Sequence, residues 1–184
     1  MKKLALIAFI IIATIQWWMP GSMIWQKEKV LKKGTPYKFE TEPVDPSNPF
    51  KGKYISLRFK INQIKNSAYS SLDRAQDIYV LLSNDDSGFA SIKAVTPDVP
   101  ADGNDYIKAK VDYVYDSVLY INYPFQEFYM EESKAPEAEK IYRESNRNNN
   151  LTANKTYALI KVWKGDAVIQ DVFINNRPVG ELIK

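Results

Sequence analysis

The chain has 184 residues, with 25 Lys and Arg against 22 Asp and Glu and a formal net charge of +3. It contains neither cysteine nor histidine, which excludes disulfides, thiol chemistry, a lipoprotein anchor, a Ser-His-Asp triad and a His-rich zinc site. The charges are mixed along the chain, a pattern of solvated surface rather than of a nucleic-acid footprint.

The first element is apolar. Lys2 and Lys3 precede an uncharged run from Leu4 to Trp25. Those 22 residues would span about 33 Å as a helix, close to the hydrocarbon thickness of a bilayer. Trp17, Trp18 and Trp25 suit an aromatic belt on its far side. A cleaved signal peptide would share the charged start and apolar middle. Pro20-Gly21-Ser22 makes a poor cleavage site, however, so residues 1–25 are predicted to be an uncleaved transmembrane anchor. Residues 26–34 form a charged juxtamembrane segment that continues the helix or follows it, ending at Gly34. Lys27, Lys29, Lys32 and Lys33 lie on the far side of the span from Lys2 and Lys3, so the positive-inside rule gives conflicting votes on orientation.

Residues 35–184 read as one antiparallel, hairpin-rich, mainly β domain with one short helix. Tyr37 to Thr41 is a first strand. Pro43, Pro46 and Pro49 stiffen an extended approach, and Gly52 lets the backbone turn. From Lys53 to Asn62 the pattern alternates. Ile55, Leu57, Phe59 and Ile61 face one way and Tyr54, Ser56, Arg58 and Lys60 the other, as in a half-buried strand. Gln63 to Asp77 is weakly patterned, a loop or a short helix over residues 70–76. Asp77–Leu82 and Phe89–Val95 form a hairpin around Ser83 to Gly88. Asp85 and Asp86 in that turn lack the alternating ligands and later glutamate of a calcium loop, and are read as turn residues.

Tyr106 to Tyr115 alternates with Ile107, Ala109, Val111 and Tyr113 on the inner face. Asp116-Ser117 joins it to a strand over Val118–Tyr123, which Pro124 ends. Phe125 to Ser133 runs from aromatics into Glu131 and Glu132. Neighbouring carboxylates point apart on any regular element, so this is a solvated pair, not an acid and base. Pro136 to Asn146 is predicted helical from its Pro and Glu start and Arg end. Residues 146–154 are an asparagine-rich loop in which Asn150 and Asn154 match the glycosylation pattern. Thr156–Trp163 and Ala167–Ile174 form the clearest hairpin, turning through Lys164-Gly165-Asp166. Its first strand is apolar on both faces, so it is central or covered. The total is about seven to nine strands.

Gly52, Tyr54, Leu57 and Phe59, with the run Pro43 to Lys51 before them, resemble the motif of the GDYXXLXY family of bacterial membrane-anchored proteins. Lys53 stands where the family has Asp, and Phe59 where it has Tyr. Phe128-Tyr129-Met130-Glu131 is similar to a diverged form of a later family region. The resemblance implies an extracytoplasmic domain on the bacterial cytoplasmic membrane and a polytopic partner in the same membrane. It implies no activity. Tyr54, Arg58 and Lys60 share the polar face of the motif strand, and an aromatic beside an arginine is a common interface anchor. These three are the candidate partner-binding residues. No catalytic, cofactor or metal site is expected, and the chain reads as a non-enzymatic accessory or binding domain. The alternative is a signal-peptidase-like Ser/Lys hydrolase or its inactive relative. Gly21-Ser22-Met23 and Lys51-Gly52-Lys53 are similar to elements of type I signal peptidases, with Lys93 as the base. Lys53 replaces the acidic residue there, and the late Gly-Asp-Asn of that family has no counterpart.

Overall fold

The computed structural model describes residues 2–42, 54–101, 103–129, 137–138, 140–142 and 156–182, and within these the side chains of Lys2, Leu4, Ala5, Ala8, Tyr54 and Ile55 lie outside the description. The proline-rich approach, Met130 to Glu132, the asparagine-rich loop and most of the helix expected over residues 136–146 are outside the described residues. Glu137, Ala138 and Lys140 to Tyr142 are helical, with Ala138 and Tyr142 buried.

Helix α1 runs without a break over Lys2–Lys33, about 48 Å at 1.5 Å per residue. The anchor and juxtamembrane segments are therefore one element. Among the described residues no helix is long and apolar enough to cross a membrane. The last turn of α1 is built into the domain. Val30 is fully buried, the Gly34 amide closes the helix by donating to the Val30 carbonyl at 2.8 Å, and Gln26 Nε2 donates to Asp166 Oδ2 at 2.6 Å.

Two five-stranded antiparallel sheets follow. The first takes β1 (Thr35–Glu42), β3 (Arg58–Phe59), β10 (Thr156–Trp163), β11 (Asp166–Ile174) and β12 (Arg177–Pro178), in the order β12-β11-β10-β1-β3. The second takes β4 (Gln63–Lys65), β5 (Asp77–Asn84), β6 (Ala90–Thr96), β7 (Tyr106–Tyr115) and β8 (Val118–Asn122), in the order β4-β8-β7-β5-β6. A two-stranded ribbon pairs β2 (Tyr54–Ser56) with β9 (Glu127–Tyr129). Inner residues of both sheets, among them Phe39, Ile160 and Val162 from one and Ile78, Val80 and Ile107 from the other, share one apolar cluster. The mainly β, hairpin-rich class follows directly. Strand β10 is central in its sheet, as its two apolar faces require.

The expected motif strand over 53–62 is not one strand. It breaks at Leu57 and again after Phe59, where Lys60–Asn62 form a 3-10 turn. Each fragment joins a different sheet. β2 lies in the ribbon, β3 edges the first sheet and β4, just beyond, edges the second. At the first break the Leu57 amide donates to the Gln126 carbonyl at 2.8 Å, outside any ladder. The alternation still predicts burial, since Leu57 and Phe59 are 3% and 2% exposed while Arg58 and Lys60 face solvent. What alternation cannot show is a change of partner strand.

Phe59 meets Phe39 edge-on at 5.4 Å and Phe125 at 5.5 Å, and Tyr123 stacks on Phe125 at 5.4 Å. Such ring pairs add about 0.5–1.5 kcal/mol each beyond the area they bury. The buried Tyr123 hydroxyl donates to the Ile61 carbonyl at 2.8 Å, so this phenol is satisfied inside the core.

Two further differences from the expectations have local causes, and of the two readings left open for residues 70–76 the loop is the one observed. Residues 70–76 hold no α-helix. A 3-10 turn occupies Ser67–Tyr69 instead, and Ala75 adopts a positive φ of 64°. The β10–β11 turn is two residues, Lys164 and Gly165, both at positive φ, as in a type I′ hairpin. The chain end is also more than a tail, because Asn175 and Asn176 make a second such turn that folds β12 back onto β11. The Ser83–Gly88 turn matches its reading, with Asp85 Oδ1 accepting from the Ser87 and Phe89 amides.

A Cβ at Gly34 would lie 2.5 Å from the Val30 carbonyl oxygen and 3.0 Å from the Val162 amide nitrogen, both backbone atoms that cannot step aside. Gly34→Ala is therefore expected to destabilise the domain by about 1–3 kcal/mol, as overpacking does, read as a shift in denaturant midpoint. An unchanged midpoint would show that the helix end is not held against β10.

Tyr37 is buried and its hydroxyl donates to Asp105 Oδ2 at 3.1 Å. Burial first, then the Asp105 charge and its hydrogen bond, push the phenol up from 10.0 to about 12. A phenol that ionises later in the folded chain than in the unfolded one supports folding fully below its unfolded value. That support is lost as pH rises through the folded value. Stability should thus fall between pH 10 and about 12, and Tyr37→Phe should show a shallower fall across that window. Parallel curves for the two proteins would refute the assignment.

Candidate functional site

The motif segment, the β7–β8 hairpin and the β8–β9 link meet around a polar cleft of about 310 Å³. Its floor is the core side of Phe59 and Tyr123. Its mouth carries Arg58 and Asn62 from the motif side, Asp112 and Tyr113 from β7, and Tyr120 from β8. Gln126 lines the end nearest the ribbon, its amide held by a hydrogen bond to Asn122 Oδ1 at 2.9 Å.

Tyr113 reaches this cleft because of a β-bulge. The register between β7 and β8 shifts between Val111 and Tyr113, so that Tyr113 pairs with Tyr120 and Val114 with Leu119. A bulge inserts one residue and re-aims the side chains after it. Tyr113, expected on the inner face, is instead 45% exposed, and Val114 takes the inner phase. Its ring stacks on Tyr120 at 4.2 Å with the planes 19° apart. Tyr115 follows outward on the same strand and is 73% exposed. The sequence held one cue to this, since the apolar Val114 sits between two tyrosines in what strict alternation makes the polar phase.

Of the three candidate partner-binding residues, Arg58 and Lys60 have described side chains, and Tyr54 is described through its backbone alone. Arg58 is exposed at the cleft and has no ion-pair partner among the described residues. Lys60 pairs with the Glu40 carboxylate across the sheet edge. Tyr54 pairs through its backbone with Tyr129 on β9. Tyr113 and Tyr120 line the cleft together with Arg58.

Chemically the cleft offers a permanent cation, two phenol rings, amide groups and one carboxylate. A guanidinium presents a planar fork of donors and no base. Burial pushes the Tyr123 phenol far up, so it remains a neutral donor beneath the floor. Such a lining presents hydrogen-bonding groups and ring faces to whatever enters the cleft. Among the described residues no group of three or more acidic side chains is placed to hold a metal ion.

The hydrolase residues are also on view. Ser22 lies within α1, its hydroxyl donating to the Met19 carbonyl of the preceding turn at 2.8 Å. Lys93 projects exposed from β6, the outer strand of the second sheet. No hydrogen bond joins the two, whereas a nucleophile needs its base within reach. Gly52 and Lys53 fall outside the described residues.

No curated protein and no solved structure matches the chain significantly. A family model does, that of the GDYXXLXY protein, over residues 16–172. The match takes in the second half of α1, the motif segment and every strand up to most of β11. On that match the chain belongs to the GDYXXLXY family.

Proposed function

We propose that this protein is a membrane-anchored, extracytoplasmic binding domain of the bacterial cytoplasmic membrane, acting with a polytopic membrane partner whose exposed segment docks in the Arg58 cleft. The observation that carries this reading is an exposed Arg58, without an ion-pair partner among the described residues, lining one cleft with the bulge-presented Tyr113–Tyr120 stack. Arginine and tyrosine are the side chains most often found at the energetic centre of an interface. A cleft lined this way and lacking a nucleophile–base pair is suited to recognition rather than group transfer.

Anchoring through residues 4–25 is supported by the state of α1. Its large apolar side chains described between Leu6 and Trp25 are exposed, from Ile10 and Ile11 at 54% to Trp17 at 83%. They fall on all sides of the helix instead of on one stripe. A helix that is apolar all round is stable only when surrounded by apolar material. A bilayer supplies that cover, and the single-pass arrangement leaves the β domain on the far side from Lys2 and Lys3.

The experiment is affinity capture from detergent-solubilised membranes with full-length protein. A reproducible polytopic partner is expected. Arg58→Ala should weaken its capture by at least about tenfold, as loss of a central arginine does. Lys60→Ala should leave it nearly intact, because Glu40 already neutralises that lysine. Absence of any partner, or equal capture by the Arg58→Ala protein, would sink the proposal.

A further inference from the structure

A second surface stands apart from the Arg58 cleft, where α1 enters the domain. Its centre is Trp163 at the end of β10. Lys29 and Lys33 from α1 and Lys164 from the β10–β11 turn lie over that one indole, their ammonium nitrogens 5.1, 6.0 and 5.4 Å from the ring centroid. Lys29 also lies 5.1 Å from the ring of Trp25. None of these three lysines has an ion-pair partner among the described residues. Glu28 is taken by Lys32 at 2.9 Å, and Asp166 accepts from Gln26.

Beside this cluster is a cleft of about 330 Å³ lined by Lys27, Lys108 and Lys110 together with Gly165 and Asp166. Asp77 lies close to both Lys108 and Lys110, at 3.3 and 3.7 Å. Around the junction seven lysines (27, 29, 32, 33, 108, 110 and 164) thus meet three acids, Glu28, Asp77 and Asp166, an excess of four positive charges against +3 for the whole chain. Like charges gathered on one ring repel one another unless an anion lies between them.

The backbone of the turn beneath the cluster is held in place. The turn that carries Lys164 is fastened to β7 by the Lys108 amide donating to the Gly165 carbonyl at 2.9 Å. A Cβ on Gly165, which sits at φ +87°, would strike the Tyr106 ring at 2.7 Å, so the turn is tight against its neighbour. Its distance along α1 is set by the same contacts. If Leu4 to Trp25 fill the hydrocarbon, the headgroup layer of roughly 5–8 Å beyond it takes the next four or five residues at 1.5 Å each. Those residues are Gln26 to Val30, the level at which Lys27 and Lys29 reach Trp163 and the turn. Indole rings and lysine ammonium groups both favour that layer.

We infer that the α1–β10/β11 junction is a binding collar for anionic membrane lipid, in which Lys29, Lys33 and Lys164 around Trp163 hold lipid phosphate groups and fix the domain's height and tilt on the bilayer. This rests on the reading of residues 4–25 as an anchor. It adds that the lysines following the apolar run form a built surface. Each lysine held near an anionic headgroup layer favours the charged lipid by about fivefold.

The test reconstitutes the full-length chain in bilayers and measures quenching of its tryptophans by brominated phosphatidylglycerol against brominated phosphatidylcholine. The native protein should prefer the anionic lipid at least about fivefold, and about 1 M salt should remove most of that preference by screening. The triple variant Lys29→Gln, Lys33→Gln, Lys164→Gln alters only surface side chains and should bring the ratio toward one, with near-UV circular dichroism confirming an intact fold. Equal quenching by the two lipids in the native protein, or a preference that survives the triple substitution, overturns the collar while leaving the anchor standing. No quenching by either lipid means that α1 is outside the bilayer, and overturns both.

Discussion

Four aromatic rings hold the two sheets to the motif. Phe39 comes from β1, Phe59 from β3, and Tyr123 and Phe125 from the link between β8 and β9. Phe39 meets the other three at 5.4, 5.9 and 5.6 Å, always edge to face. Edge-on contacts of this kind fix both separation and angle, so the first sheet, the ribbon link and the motif segment share one geometry. The motif follows from that constraint. Leu57 and Phe59 must both point inward, one beneath the ribbon link and one into the ring cluster, while the chain passes from ribbon to first sheet to second. Phe59 is one of the largest fully buried side chains. A tyrosine there, as the family motif has, would need a partner for its hydroxyl, which a phenylalanine does not.

A second constraint is the fusion of helix and domain. Val30, Gly34 and the Gln26–Asp166 hydrogen bond seat the last turns of α1 on the β10–β11 hairpin. Whatever surrounds the apolar part of the helix therefore sets the orientation of the whole β domain. The Arg58 cleft opens beside the β7–β8 hairpin and the lysine–tryptophan cluster beside the helix. In the reading proposed above, the first surface takes a protein partner and the second the layer in which the helix stands.

Much of this was legible in the chain because it depends on local periodicity. Alternation gave Ile107, Ala109 and Val111 as the inner residues of β7, and all three are buried. It gave Leu57 and Phe59 as core and Arg58 as exposed, and turn formers marked the β5–β6, β7–β8 and β10–β11 hairpins. The failures share a cause in long-range pairing. Nothing near Leu57 announces that its amide will bond to Gln126, so a segment with perfect alternation looked like a single strand. The bulge at Asp112 is set by the register against β8, and it turned Tyr113 from an expected core residue into a wall of the cleft. The ion pair of Lys60 was not legible either, because its partner Glu40 lies on β1, across the sheet. The lysines after the apolar run looked like loose flanking charges because Trp163 is distant in sequence.

The central claim is that the motif is the stitch between the sheets, so it cannot open while they stay closed. Native-state hydrogen exchange tests this directly, since amides that open only with the whole fold share its free energy and denaturant dependence. The account predicts that the Leu57 amide, bonded to Gln126, exchanges with the same opening free energy as the core amides of Val80 in the second sheet and Ile160 in the first. A Leu57 amide that exchanges through a separate opening several kcal/mol easier, with little dependence on denaturant, would show that the motif is a surface strand laid over a core that stands without it.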